Sequence, residues 1–347
     1  MPATATAASS GGRSTPEPAT GSASVSSSPG SASVSSSRGS APVSSGITSA
    51  SASASATDSL PVSSGPRSGP STSTGPARSV PPAATLPGGG RTLFPGHLLV
   101  ALYGQPGISG LGVLGEQDVP ESITRARRLA ARYAELGRGT VVPTFEIIAT
   151  IADSAAGPDG DYSAETDVET LRSWVDAATA AGLYVVLDLQ PGRTDFLTQA
   201  RRYAELLQRP NVGLALDPEW RLGPGQRHLQ QIGSVHAAEV NAVADWLAAL
   251  TAQHHLPQKL LLLHQFTRSM ILERQDLDAR HPELAVVIQM DGQGNQDVKD
   301  ETWQSITADA PAGVRFGWKN FLRRDHPVLD PAGSLAKDPT PVLISYE

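Results

Sequence analysis

The stretch Val212 to Trp220, VGLALDPEW, passes from small and apolar residues into two carboxylates two positions apart. On a strand, side chains at i and i+2 share a face, so Gly213, Ala215, Asp217 and Glu219 fall on one side and Val212, Leu214 and Leu216 on the other. A face that begins with Gly and Ala and ends in acids reads as the inner wall of a barrel opening into a polar mouth. A turn-forming Asp217 ahead of Pro218, with Glu219 in solvent, is the simpler alternative. The rest of the chain decides between them.

Seven more strand-like runs accompany this one: His97–Tyr103, Val141–Ala149, Leu183–Gln190, Lys259–Phe266, Leu284–Asp291, Gly313–Asn320 and Pro341–Glu347. Segments of helical character separate them. The pattern predicts helices over Pro120–Leu136, over Ala164–Ala181 with Gly182 as the stop, a third ending by Gln208, and one over Ser234–Gln253. Strands alternating with helices give a parallel sheet in the α/β class. Eight strands between residues 91 and 347 match the ~250 residues of a (β/α)8 TIM-type barrel. The last βα unit is truncated, so closure requires strand eight to pair with strand one, with Arg91–Phe94 covering the bottom. An irregular connection is expected after strand seven.

Residues 1–90 are Ser, Ala, Thr, Pro and Gly with scattered Arg and Val, a composition that cannot offset chain entropy by burial and reads as a disordered stalk or linker. A nine-residue repeat, GSASVSSSP, GSASVSSSR and then GSAPVSS, starts at Gly21, Gly30 and Gly39. Ser/Thr-rich segments with Pro suit O-glycosylated stalks of exported proteins and plain flexible linkers alike. The expected setting is therefore extracellular or cell-wall associated, although Met1–Ser10 has neither the basic flank nor the apolar run of a signal peptide. No run of eighteen apolar residues predicts a membrane span. The net charge of -7 and the scattered basic residues argue against nucleic acid. With no Cys there is no disulfide framework, thiolate metal site or lipid-anchoring thiol. A monomer without cofactor is expected.

Chemistry in such barrels sits where the strands end. Parity places Glu146, Asp188 with Gln190, Asp217 with Glu219, Gln289 with Asp291, and Arg315 with Lys319 on inner faces, while Tyr103, His264, Gln265, Trp318 and Tyr346 end other strands. Acids and amides from five strands converging on one rim describe a polar pocket better than isolated turns do. Other patterns are weaker. Gly110, Gly112 and Gly115 spell G-x-G-x-x-G, but too far from strand one and without the acidic partner of a dinucleotide site, so a loop over the pocket is the better reading. Asp291, Gln293, Asn295 and Asp297 alternate like a calcium loop, yet Gln296 and Thr302 stand where Gly and Glu belong. His254 and His255 fit a helix C-terminus. Neither H-E-x-x-H nor G-x-S-x-G occurs, so no metal is assigned.

The stretch Val212–Glu219 resembles the strand-four signature of family 18 glycoside hydrolases, Asp-Gly-x-Asp-x-Asp-x-Glu. Gly213, Asp217 and Glu219 match, and Val212 and Ala215 replace the two earlier acids. QMDGQG, Gln289–Gly294, is similar to that family's Met-x-Tyr-Asp-x-x-Gly, with Asp291 and Gly294 matching and no Tyr. Residues 98–347 also resemble a group of bacterial exported or lipoprotein-like barrels with LDPEW, LPQKLLLLHQF and QMDGQG stretches, which implies a cell-envelope setting. The likeness to family 18 points to a retaining or substrate-assisted glycosidase using carboxylate acid/base chemistry on a polysaccharide or other glycan, with Glu219 as acid and Asp217 as its partner. Asp188, Asp291 or Glu146 is left as nucleophile if the reaction is not substrate-assisted. Tyr103, Glu146, Gln190, Trp220, His264, Gln265, Gln289, Trp318 and Lys319 are the expected substrate contacts. A carbohydrate-binding barrel without turnover is the alternative, favoured by the missing acids. A magnesium-dependent lyase using Glu146, Asp188 and Asp217 with Lys319 as base is a third reading.

Overall fold

The structure is a computed structural model that describes residues 83–347. The stalk or linker expectation for residues 1–82, with its repeat, lies outside the described residues. Eight strands carry the fold: β1 (His97–Gly104), β2 (Thr140–Ala152), β3 (Tyr184–Leu189), β4 (Val212–Leu216), β5 (Lys259–Gln265), β6 (Leu284–Met290), β7 (Arg315–Asn320) and β8 (Leu343–Tyr346). Each pairs in parallel with the next. β8 then pairs with β1 from Leu99↔Leu343 to Leu102↔Tyr346, closing the ring. The chain therefore forms the (β/α)8 barrel that its eight apolar runs predict.

Helices α1 (Val119–Ala134), α2 (Val168–Ala180), α3 (Phe196–Arg202), α4 (Ala204–Leu207), α5 (Ala237–Gln253), α6 (Gln296–Thr307) and α7 (Pro331–Leu335) lie between the strands. Five are capped by a side-chain oxygen of the residue before them, Asp118, Asp167, Asp195, Asn295 and Asp330, which accepts an N–H that the first turn leaves free. Asp167 explains why α2 starts at Val168 and not near Ala164. The residues before it, Ser163–Glu165, pair antiparallel with β2 instead. Ser234 does not cap α5, because Val235–His236 pairs with Ile271–Leu272. That pairing joins the β4–β5 connection to the β5–β6 connection, and the latter holds two 3-10 turns, Arg268–Met270 and Arg274–Asp276. The β7–β8 connection has only the short α7, in keeping with its irregular sequence.

Strand alternation divides the core. Outward residues such as Val100, Phe145, Val185, Leu214, Leu263, Ile288 and Trp318 pack under the helices. The lower half of the inner face is apolar: Leu99, Val142, Tyr184, Val186, Ala215, Leu260, Leu262, Val287 and Leu343. Gly213 belongs to this layer because a Cβ there would lie 2.9 Å from the Tyr184 hydroxyl and from the Leu260 carbonyl oxygen. That gap lets the Leu260 N–H donate to Tyr184 Oη at 3.0 Å.

Leu93 and Phe94 close the bottom, as expected of Arg91–Phe94, but Leu86 joins them at 3% exposure. An open barrel end exposes apolar side chains, and a strap reaching back to Leu86 covers them. Arg91 pins the strap by donating to the carbonyls of Ala84, His255 and Leu256.

Candidate active site

Two to four residues above the apolar floor, the same inner faces turn polar. Tyr103, Glu146, Asp188, Asp217, His264, Gln289, Asp291 and Lys319 are all at most 8% exposed. They follow the floor residues at the strand period of two, Asp188 after Val186 and His264 after Leu262.

His264 stands at the centre. Its Nε2 lies 2.8 Å from Glu146 Oε1, and its Nδ1 lies 3.1 Å from Asp291 Oδ2 and 3.7 Å from Asp217 Oδ2. With carboxylates at both ring nitrogens, the imidazolium with its two N–H donors fits the position and a neutral ring does not. Burial works against that charge, but Asp188 and Asp291 outweigh it and hold the His264 pKa well above the ordinary histidine range. Lys319 Nζ sits 3.0 Å from Asp291 Oδ1 and 2.9 Å from Glu347 Oε2, and 3.4 Å from the centre of the Tyr103 ring. The Tyr103 hydroxyl donates to Asp188 Oδ2 at 2.9 Å and accepts from Gln190 Nε2 at 3.4 Å. Gln289 donates to Ser345 Oγ.

Glu219 reaches this cluster by a route that strand parity does not describe. β4 ends at Leu216, and Pro218–Trp220 form a 3-10 turn. Pro218 has no N–H for a strand ladder and favours such a turn. The turn still brings one carboxylate oxygen each of Asp217, Glu219 and Asp291 within 4.8 Å of one another. The long loop after it folds back so closely that the Gly233 N–H donates to the Glu219 carbonyl at 2.7 Å. A Cβ on Gly233 would lie 2.5 Å from that oxygen, so glycine is required there.

Six carboxyl groups, those of Glu146, Asp188, Asp217, Glu219, Asp291 and Glu347, share the mouth with two cations, His264 and Lys319. The imbalance sorts the acids. Burial and then the charge of Asp217 push Glu219 well above the carboxylate range. Burial raises Asp188 to about 7 and raises Asp217 as well, with His264 opposing both. Burial would also raise Asp291, but Lys319 and His264 prevail and hold it at about 2. An acid whose pKa is raised and one whose pKa is lowered thus lie side by side.

Two sequence-predicted contacts do not belong to this group. Trp318 is fully buried on the outer side of β7, edge-on to Trp303 at 5.6 Å, with its indole N–H donating to Asn320 Oδ1. Gln265 also points outward and accepts from Arg274 Nε at 3.1 Å. Each is the immediate neighbour of an inward residue, Lys319 or His264, and alternation sends it the other way. Trp220 remains at the rim, partly exposed, edge-on to His228 at 5.3 Å. Gln190 is buried and accepts the Ala152 N–H. Glu347 and Ser345 were missed, although the period of two in Leu343–Glu347 puts both on the inner face.

Cation-binding spacing occurs in two triads of the mouth, Asp188–Asp217–His264 and Asp217–Glu219–Asp291. His264 has no free lone pair in the first, and the second is the group of acids at the rim. The Glu146–Asp188–Asp217 set of the lyase reading is not among these triads, because His264 stands on Glu146. Compared with known protein families and with curated proteins, the sequence matches none.

Proposed function

We propose that the protein is a glycoside hydrolase-like barrel that acts on a cell-envelope or extracellular polysaccharide, with Glu219 as proton donor. The observation that carries this reading is the pairing at the rim. Glu219 is partly exposed, its pKa is pushed well above the ordinary carboxylate range by burial and the Asp217 charge, and one of its carboxyl oxygens lies within 4.8 Å of one each from Asp217 and the ionised Asp291. Hydrolysis of a glycosidic bond needs both forms at once, an acid for the leaving oxygen and a carboxylate facing the positive charge that develops at the sugar carbon. Asp291 stands on the anionic side, with Asp217 beside it. Asp188 is less suited as nucleophile, since Tyr103 bonds it from behind and burial keeps it protonated up to about 7. Trp220 at the rim offers a ring face to a sugar. A cell-surface setting is supported by the stalk-like composition of residues 1–82 and by the resemblance to exported barrels. Among the described residues no helix is long and apolar enough to cross a membrane.

The alternative, a carbohydrate-binding barrel without turnover, is favoured by Val212 and Ala215 standing where the resembling signature has acids. Incubation with a panel of soluble cell-wall oligosaccharides, read by product formation and by calorimetric binding, separates the two. Hydrolysis that falls by about 10²–10⁴ in Glu219→Gln with binding preserved is the expected result. Binding by the wild type with no cleavage of any member selects the alternative.

A further inference from the structure

Outside the mouth, one buried ion pair is joined to both halves of the Asp291–Lys319 pair within it. Lys299, on the first turn of α6, and Asp325, in the segment after β7, are 0% and 2% exposed and in direct contact. Lys299 Nζ also donates to the main-chain carbonyl of Lys319 at 2.8 Å. Asp325 accepts the Phe321 N–H at 2.9 Å and, through its other oxygen, the Gly294 N–H at 3.1 Å. Gly294 is three residues beyond Asp291, and its own carbonyl accepts the His326 N–H at 3.1 Å. Two aromatic rings fill the space, with Lys299 Nζ 4.8 Å from the Trp318 ring centre and Lys319 Nζ 5.2 Å from that of Phe321.

Stability alone does not account for this pair, because a buried ion pair is commonly no more stabilising than apolar residues of the same volume. The chain also uses lysine sparingly, with only Lys259, Lys299, Lys319 and Lys337 against 23 arginines. An ammonium can give separate hydrogen bonds to a carboxylate and a carbonyl lying in different directions, which the flat guanidinium fork does less well.

We propose that Lys299 and Asp325 are positioning residues that hold the segments after β6 and β7 in register, so that Asp291 meets Lys319 and His264 in the mouth. As far as turnover is concerned this rests on the glycosidase reading; the charge arrangement itself does not. The test uses the full chain and the variant Lys299→Met/Asp325→Asn, which removes both charges and leaves neither unpaired. The first readout is the ¹³C titration of the His264 ring, assigned through His264→Gln. Tyr103, Glu146, Asp188, Asp217, Asp291 and Lys319 all face that ring or its neighbours. Loosening Asp291 should lower its midpoint by about one pH unit or more. The second readout is turnover on any glycan the wild type cleaves, where kcat should fall roughly 10-fold or more with KM little changed. Lys259→Met is the matched control, a fully buried lysine at the opposite end of the barrel that donates to the Arg209 and Val212 carbonyls. It should change thermal stability and leave both readouts where they are.

A folded double variant whose His264 titrates as in the wild type overturns the proposal. Should that variant not fold, Asp325→Glu keeps both charges and shifts only the geometry. A lowered His264 midpoint then supports positioning, and an unchanged one overturns it. If the wild type cleaves no glycan, the glycosidase reading fails while the titration still decides this one.

Discussion

Val186 and Asp188 stand two residues apart on the same face of β3, both fully buried, yet they belong to different regions. Val186 lies in the apolar floor with Leu99, Leu260, Leu262 and Val287, closed below by Leu86, Leu93 and Phe94. Asp188 lies in the mouth, bonded by Tyr103 and surrounded by His264, Asp217, Glu146 and Lys319. The floor gains from every side chain taken out of water. The mouth removes the carboxyls of Glu146, Asp188, Asp217 and Asp291 and the cations of His264 and Lys319 from water, an arrangement that costs stability and shifts the acids in different directions. One barrel interior thus carries a stabilising layer and a reactive layer, separated by about one residue pair along each strand.

Putting a charge in the wrong layer should break this contrast most strongly. Val186→Asp places an unpaired carboxylate among leucines and valines and should cost more than about 4 kcal/mol, enough to leave little folded protein by circular dichroism. Asp188→Asn is the reverse test. The folded Asp188 carboxyl keeps its proton up to about 7, against an ordinary value of 3.8. Between those pH values the folded state binds more protons than the unfolded one, so stability falls as pH rises. His264 acts in the same direction, since its raised pKa gives stability that is fully present below the unfolded value and is lost as pH climbs through the folded one. Asp188→Asn should therefore be more stable relative to wild type at pH 8 than at pH 4 by about 2–4 kcal/mol, measured by urea titration at both. A pH-independent difference would show that Asp188 ionises as an ordinary aspartate. The smallest effect should come from the edge of the floor, where Leu86→Ala should lower stability by roughly 2 kcal/mol without altering chemistry in the mouth.

Much of this division is legible in the sequence, because period two along eight apolar runs fixes which side chains face inward. That rule places Glu146, Asp188, Asp217, Gln289, Asp291 and Lys319 on the inner face, and it would have placed Ser345 and Glu347 there too. It also excludes Trp318 and Gln265, which looked like sugar contacts by residue type and sit on the outer face by position. Glu219 shows where the rule stops. Its approach to Asp217 comes from a 3-10 turn after Pro218, held by a return loop whose Gly233 lies far along the chain. The strap through Leu86 and the Lys299–Asp325 pair were not legible, since each depends on contacts between distant segments that no local pattern encodes.

Glu219 should be the acid of the mouth that holds its proton at neutral pH, and carboxyl ¹³C NMR of glutamate-labelled protein tests this directly. The signal lost in Glu219→Gln identifies the residue, and its chemical shift against pH gives its protonation state. The expected result is a carboxyl that is protonated at pH 7 and titrates well above the ordinary glutamate range, the direction in which burial and the Asp217 charge push it. A carboxylate at pH 7 with a midpoint near the ordinary ~4.3 of glutamate would contradict it.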